Sequence, residues 1–400
     1  MKRFGIALFF VVLATANAQE FFDRLDRALT FSTPDNNVRA RLSGTLDLET
    51  YTFDLPPPGL IIADDNFLFN PRLTLFLDAQ VGGAVYAFVQ TRVDRGFDPT
   101  DHGAQIRLDE YALRITPWHD GRATLQLGKF ATVISRWVQR HLSWDNPFIT
   151  APLAYEYVTA ISDVEVPYGT YNFGRRLTEK YEYNPIIWGP SYASGASLAG
   201  HIEQFDYAFE VKNAALTSRP ESWNLTEVGI DHPTFSGRVG VRPSVMWNFG
   251  VSFSRGPYLR SETEPALYGM NRFDFHQTMI GQDVSFEWHH LQIWAEVYEA
   301  RFEVPYIGDA DTVSYFIEAK YKFAPQWFAA LRWNQQFFGD VPDGYGGMHA
   351  WGPTVSRIEG AIAYRFTENM QLKLQYNFQH ESREPREGEH LFATQFTVRF

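Results

Sequence analysis

From Arg39 to Phe400, apolar and polar residues alternate with a period of two, in segments of about ten residues punctuated by turn residues. In WFAALRWN, Trp327, Ala329, Leu331 and Trp333 share one side, while Phe328, Ala330, Arg332 and Asn334 share the other. In MQLKLQYNF, Met370, Leu372, Leu374, Tyr376 and Phe378 oppose Gln371, Lys373, Gln375 and Asn377. Successive side chains of a strand point to opposite faces, so each segment has one greasy and one wet side. The pattern predicts sixteen strands: 39–52, 66–78, 83–95, 104–116, 122–131, 193–202, 205–214, 234–242, 245–255, 276–288, 291–303, 312–323, 327–337, 355–366, 370–380 and 391–400.

The connections also alternate. Short ones such as Ala79 to Gly82, Pro243–Ser244, His289–His290 and Thr367 to Asn369 take turns with long ones such as Phe53 to Asp65, Ala215 to Pro233, Gly256 to Phe275 and Phe338 to Thr354. A ten-residue strand rises ~33 Å, and a tilt of ~40° reduces that to roughly 25 Å, the apolar height of a membrane barrel. Every backbone amide in lipid must be paired within the sheet, so the sheet has to close. The expected fold is an all-β transmembrane antiparallel barrel of about sixteen strands, both termini on the short-turn side, with the final segment paired to the first.

Composition agrees. Aromatics reach 16% and Cys is absent, which excludes a disulfide scaffold and a lipid anchor through an N-terminal Cys. No stretch after Ala18 reaches eighteen consecutive apolar residues, so membrane crossing is left to strands. Residues 1–18, MKRFGIALFFVVLATANA, have a basic start, a short apolar run and an A-x-A ending, the pattern of a cleaved export signal. Residues 19–38 then form an N-terminal periplasmic segment, with an amphipathic helical pattern over Phe21 to Leu29, ahead of a barrel at 39–400. The mature charge of −14 argues against a nucleic-acid partner.

At the C-terminus, LFATQFTVRF puts Phe392, Thr394, Phe396, Val398 and Phe400 on one parity and Arg399 on the other. With the signal and sixteen strands, this ending resembles that of Gram-negative outer-membrane porins, general and phosphate-selective, whose chains commonly end in Phe after alternating apolar residues. The resemblance implies that Phe396, Val398 and Phe400 are read by the barrel-assembly machinery. It also implies outer-membrane lipid and lipopolysaccharide as surroundings, a homotrimer, and passage of small hydrophilic solutes. LGKF (Leu127 to Phe130) is similar to the strand ending of phosphate-selective porins.

Between strands five and six, residues 131–192 lack alternation yet are rich in Trp, Tyr and Phe. A structureless stretch of this length is usually functional or disordered, and its aromatic content argues against disorder. By likeness to general porins, it folds inward and constricts the lumen. Arg41, Arg72, Arg92 and Arg107 then form a basic wall, joined by Arg114 if Asp109–Glu110 makes a bulge. Asp145, Glu156, Asp163 and Glu165 of the loop are the expected counter-charges, giving a transverse field. The bland alternative is that these arginines pair with lumen acids such as Asp78, Asp94 and Asp109. Inward aromatics Tyr86, Phe88, Trp294, Tyr298, Phe316 and Phe328 either guide sugars or fill space beneath the loop.

The function expected is a passive diffusion channel for ions, phosphate-like anions or sugars, not an enzyme, with no cofactor and no metal. The rivals are a channel for hydrophobic compounds and an outer-membrane barrel enzyme. Against the latter, no G-x-S-x-G or H-E-x-x-H spacing occurs.

Overall fold

The computed structural model describes residues 20–94, 105–118, 120–174, 180–382 and 388–400. The export signal expected at 1–18 lies outside them. Sixteen antiparallel strands form one ring: β1 (Val38–Phe53), β2 (Phe67–Val81), β3 (Val85–Asp94), β4 (Gln105–Ile115), β5 (Thr124–Lys129), β6 (Ser194–Ile202), β7 (Phe205–Lys212), β8 (Thr234–Val241), β9 (Trp247–Pro257), β10 (His276–Trp288), β11 (Leu291–Val304), β12 (Gly308–Ala324), β13 (Trp327–Phe338), β14 (Val355–Arg365), β15 (Met370–Glu381) and β16 (Glu389–Arg399). Each strand pairs with its sequence neighbour, and β16 pairs with β1 from Leu391↔Phe53 to Arg399↔Thr45. Phe400 completes the seam: its N–H donates to Gly44 O and the Gly44 N–H donates to Phe400 O, both at 3.0 Å. A Cβ at Gly44 would stand 2.7 Å from Thr74 O and 2.8 Å from the Phe400 ring, so this close approach needs glycine.

The alternation reads out as predicted. Leu331 is 65% exposed on the outer face while its neighbour Arg332 is 1% exposed inside. Outward rings form a continuous chain near the short turns: Trp327–Tyr364, Tyr364–Phe366 and Phe366–Phe396 have centroids 4.7, 4.8 and 6.2 Å apart. Tyr315–Phe337 and Tyr376–Phe392 lie toward the long-loop end of their strands. Two aromatic levels flanking an apolar band are what a bilayer-spanning barrel presents. An Arg at position 331, near the middle of β13, should cost about 2–4 kcal/mol. Denaturant unfolding of Leu331→Arg in lipid vesicles measures this; unchanged stability would place residue 331 outside the hydrocarbon.

Several boundaries differ from the sequence pattern, by up to four residues. β12 begins at Gly308 rather than 312, because Asp309 and Asp311 continue the ladder opposite Glu303 and Arg301 above the apolar band. β5 is only six residues long, since the chain turns into the lumen after Lys129. In β4 the ladder passes from Gln90↔Glu110 to Thr91↔Leu108, leaving Asp109 as a bulged residue. That bulge puts Arg107 and Arg114 on the same inward face.

Helices are few and short among the described residues, and apart from an N-terminal one they lie in connections. Residues 20–28 form a helix at the short-turn mouth. It is tied to β1 by Arg41 Nε donating to Asp26 Oδ1 at 2.8 Å, and by a short strand, Thr30–Ser32, that pairs with Arg39 to Arg41.

Candidate functional site

The chain enters the lumen at Phe130, and the interior wall grips the segment beyond it. Loop amides and hydroxyls turn inward to meet carboxylates. Thr132 Oγ1 donates to Glu210 at 2.6 Å, Ser135 Oγ to Glu296 at 2.7 Å and the Trp137 N–H to Glu296 at 2.8 Å. Further along, Thr150 Oγ1 donates to Glu359 at 2.7 Å. Cations of the wall take the loop carbonyls: Lys373 Nζ donates to Ser143 O at 2.7 Å and Asn146 O at 3.0 Å, and Arg332 Nη2 donates to Thr150 O at 2.9 Å. These wall residues belong to β11 through β15 apart from Glu210 on β7, so the loop body is clamped to one half of the barrel.

An apolar seam reinforces the clamp. Ile134, Trp137, Tyr155, Ile161 and Ile187 of the loop pack in one buried cluster with Met279, Tyr298, Phe302 and Phe316 of the wall. The Trp137 and Tyr155 ring centroids are 4.3 Å apart, and the Tyr155 and Tyr298 hydroxyls are 2.7 Å apart. Of the six aromatics singled out in the sequence, Tyr298 and Phe316 therefore fill space under the loop. Trp294 lies beneath Arg140, 4.2 Å from its guanidinium carbon, and Phe328 beneath Lys320 Nζ at 4.7 Å. Tyr86 and Phe88 instead face open space, with Arg114 about equidistant over both rings at 5.5 and 5.4 Å.

That open space is a cavity of about 760 Å³ along the wall from β2 to β8, on the short-turn side of the loop. Toward the outside, a smaller cavity of about 130 Å³ separates Arg72, Arg92 and Gln395 of the wall from the loop's inner edge. His141 lines both. Its Nδ1–H donates to Val138 O at 2.5 Å, which leaves Nε2 to accept from the Tyr192 hydroxyl at 2.6 Å; Gln90 in turn donates to that hydroxyl at 3.3 Å. A wall-to-loop hydrogen-bond chain thus divides the two spaces.

Burial, with Arg92 and Arg72 nearby, holds the His141 imidazole well below its ordinary range, at about 4, against the pull of Val138 O and Asp109. A histidine that is neutral when folded and titrates near 6.5 when released stabilises the closed loop fully above about pH 6.5. That contribution is lost as pH falls toward 4, because the released form binds the extra proton. Release of the loop, read as protease cleavage within residues 131–192, should therefore increase between pH 7 and 5, and His141→Gln should flatten the increase; wild-type cleavage independent of pH over that range would contradict the assignment.

The arginines form a locally neutralised wall rather than a bare basic one. Arg72 meets Asp47 at 3.5 Å and Glu49 at 2.5 Å. Arg92 meets Asp94 at 3.1 Å and Asp109 at 3.0 Å, and Arg107 reaches the same two carboxylates at 3.6 and 3.5 Å. Arg114 takes Gln126 Oε1 instead, and Arg41 turns to Asp26 at the mouth. Of the loop acids, Glu156 alone lines the 130 Å³ cavity, held by Arg357 at 2.5 Å. Asp163 is buried against Arg219 and anchors the outer loop at 213–233, Glu165 accepts from the Tyr183 hydroxyl, and Asp145 is exposed. The carboxylates paired with Arg72, Arg92 and Arg107 thus stand beside them on the wall rather than on the loop. His141, Tyr192, Glu296 and Gln395, which build the partition and its supports, were not singled out in the sequence. Glu49 and Glu296 share strand parity with Asp47 and Trp294, a signal that could have found them.

No protein-family profile and no curated protein matches this chain. Solved structures do. The anion-selective porin of Comamonas acidovorans has 10% identity over 91% of this chain and 100% of its own, with a TM-score of 0.56. The outer membrane channel DcaP of Acinetobacter baumannii has 10% identity over 92% and 99%, also at 0.56. The trimer form of OmpT, an outer membrane protein of Vibrio cholerae, has 10% identity over 91% and 99%, at 0.55. At such identities the likeness concerns architecture alone, and it says that this chain has the fold of outer-membrane β-barrels, porins and channels among them.

Proposed function

We propose that this protein is an outer-membrane porin through which small hydrophilic solutes diffuse passively, with no covalent step and no cofactor. The observation that carries the reading is the asymmetry of the lumen: one wall holds the loop through buried charges, while the other retains 760 Å³ of space lined by Asp78, Arg114, Gln126, Asp206 and Arg242. A lumen built for hydrophobic compounds would leave its apolar side chains free, whereas here Tyr298, Phe302 and Phe316 are consumed in packing the loop. Trimer formation, lipopolysaccharide contact, export through residues 1–18 and recognition of Phe396, Val398 and Phe400 by the assembly machinery belong to the same proposal. Purified protein in a planar bilayer should give discrete current steps with weak ion selectivity, since each wall arginine already has a carboxylate or amide partner. Absence of any step in folded protein would end the proposal.

A further inference from the structure

The N-terminal segment is not part of the sixteen-strand ring, yet it occupies a defined place inside the short-turn mouth. β16 ends at Phe400 opposite Gly44, short of the first residues of β1. Thr30–Ser32 continue that edge: they pair with Arg39 to Arg41, and the Leu42 N–H donates to Leu29 O at 3.0 Å. The Thr33 to Val38 turn closes this hairpin, with the Thr33 N–H donating to Val38 O at 3.0 Å. The segment is therefore anchored to the barrel's own ladder as far as residue 29. Beyond that anchor, residues 20–28 form the helix whose Phe22 and Asp26 line a space of about 440 Å³ against Arg41, Ser43 and Phe76 of the inner wall. Phe76 also borders the 760 Å³ space. The helix thus stands where the wet half of the lumen opens to the short-turn side.

Resting on the channel reading, we propose that residues 20–28 are a salt-sensitive lid on this exit, docked at low ionic strength and swung aside at high. Anchor and lid differ in strength. The ladder at Thr30–Ser32 is continuous with the barrel, whereas the helix has no buried residue: Phe22, Leu25 and Asp26 are half-buried and Phe21 is 59% exposed. A nine-residue helix is too short to persist alone in water, so it depends on docking and on internal pairs such as Glu20 with Arg24. The docking is ionic. Arg41 Nε and Nη2 each lie 2.8 Å from Asp26 Oδ1, and the two side chains are about half-exposed. A pair so well hydrated is weak and is screened by salt, since the reach of a charge falls from about 10 Å at 0.1 M to about 3 Å at 1 M. Leu29, between the ladder and the helix, is the hinge.

Access to position 43, behind the helix, tests the lid independently of transport. Ser43→Cys in the full chain, otherwise free of Cys, is modified in detergent with N-ethylmaleimide, which is uncharged and so is not itself steered by the mouth's charges. Its rate should rise about three-fold between roughly 0.1 and 1 M sodium chloride, and by a similar factor at low salt when Asp26→Asn is added, within what a half-exposed ion pair supplies. Deletion of residues 20–28 should abolish the salt dependence. Asp26→Asn, a surface change, guards against a deletion that fails to fold. A rate that ignores both salt and Asp26→Asn, or that equals the deletion's at low salt, would overturn the lid. In a planar bilayer, current divided by bulk conductivity should rise over the same salt range in the intact chain and stay level after the deletion; a level response in the intact chain would also overturn the lid. Salt-dependent protection at position 43 with no bilayer current in either form would instead keep the lid and overturn the channel.

Discussion

Replacing Arg332 by Ala should destabilise the barrel by about 3–5 kcal/mol and release the loop from its wall. Arg332 is buried at the centre of a charged cluster: its guanidinium bonds Glu359, lies 3.2 Å from Glu318, donates to Thr150 O at 2.9 Å and covers the Phe148 ring at 4.3 Å. The cost arises from what remains. Two fully buried carboxylates lose their shared cation, and Arg140 and Arg357 each compensate only one of them. Lys cannot substitute, because a point charge on a flexible stem cannot bridge two carboxylates and a carbonyl as the guanidinium fork does. Arg301 is the control: it pairs with Asp309 and Asp311 on the outer rim with all three half-exposed, so Arg301→Ala should change stability by about 1 kcal/mol or less. Equal effects at the two positions would show that the inner cluster is hydrated and that the loop is not clamped there.

Deletion of residues 134–187, bridged by a flexible Gly-Ser linker, should leave the ring intact and raise single-channel current several-fold. The sixteen ladders, including the β16–β1 seam, contain no loop residue, so closure does not depend on it. Glu296, Glu318 and Glu359 would then face water and be solvated rather than stranded. Tyr298, Phe302 and Phe316 would lose their cover, so the deleted form should be less stable although wider. Unchanged current would mean that the loop is not the constriction.

The contrast between these two variants parallels what was legible in the sequence. Strand existence, number, order and facing were readable because a period of two is a local signal, and the membrane forces each residue to declare its side: Leu331 out and Arg332 in are dictated by WFAALRWN alone. Even the Asp109 bulge was accessible, since an unshifted parity would have sent Arg114 into lipid. The strand start at Gly308 was hidden because alternation fades once both faces are wet. The loop was opaque for a different reason. Its position depends on long-range partners such as Thr150 with Glu359 and Trp137 with Glu296, which no spacing within residues 131–192 encodes. The arginines were visible, but the carboxylates that neutralise Arg72 stand together on the adjacent strand, and charge balance is a property of the assembled wall.

The channel reading turns on the loop being held against β11–β15 while the wall from β2 to β8 stays wet. Because the native chain has no Cys, single substitutions report position without background. The most direct measurement is the rate at which a charged, water-soluble thiol reagent modifies Ala199→Cys, Ser314→Cys and Leu331→Cys in reconstituted protein, read as modification and as loss of current. Ala199 borders the large cavity, Ser314 is 1% exposed on the inner face of β12 and Leu331 faces lipid. Rapid modification and block at 199, with 314 and 331 both protected, is the predicted result; reaction at 314 as fast as at 199 would contradict it.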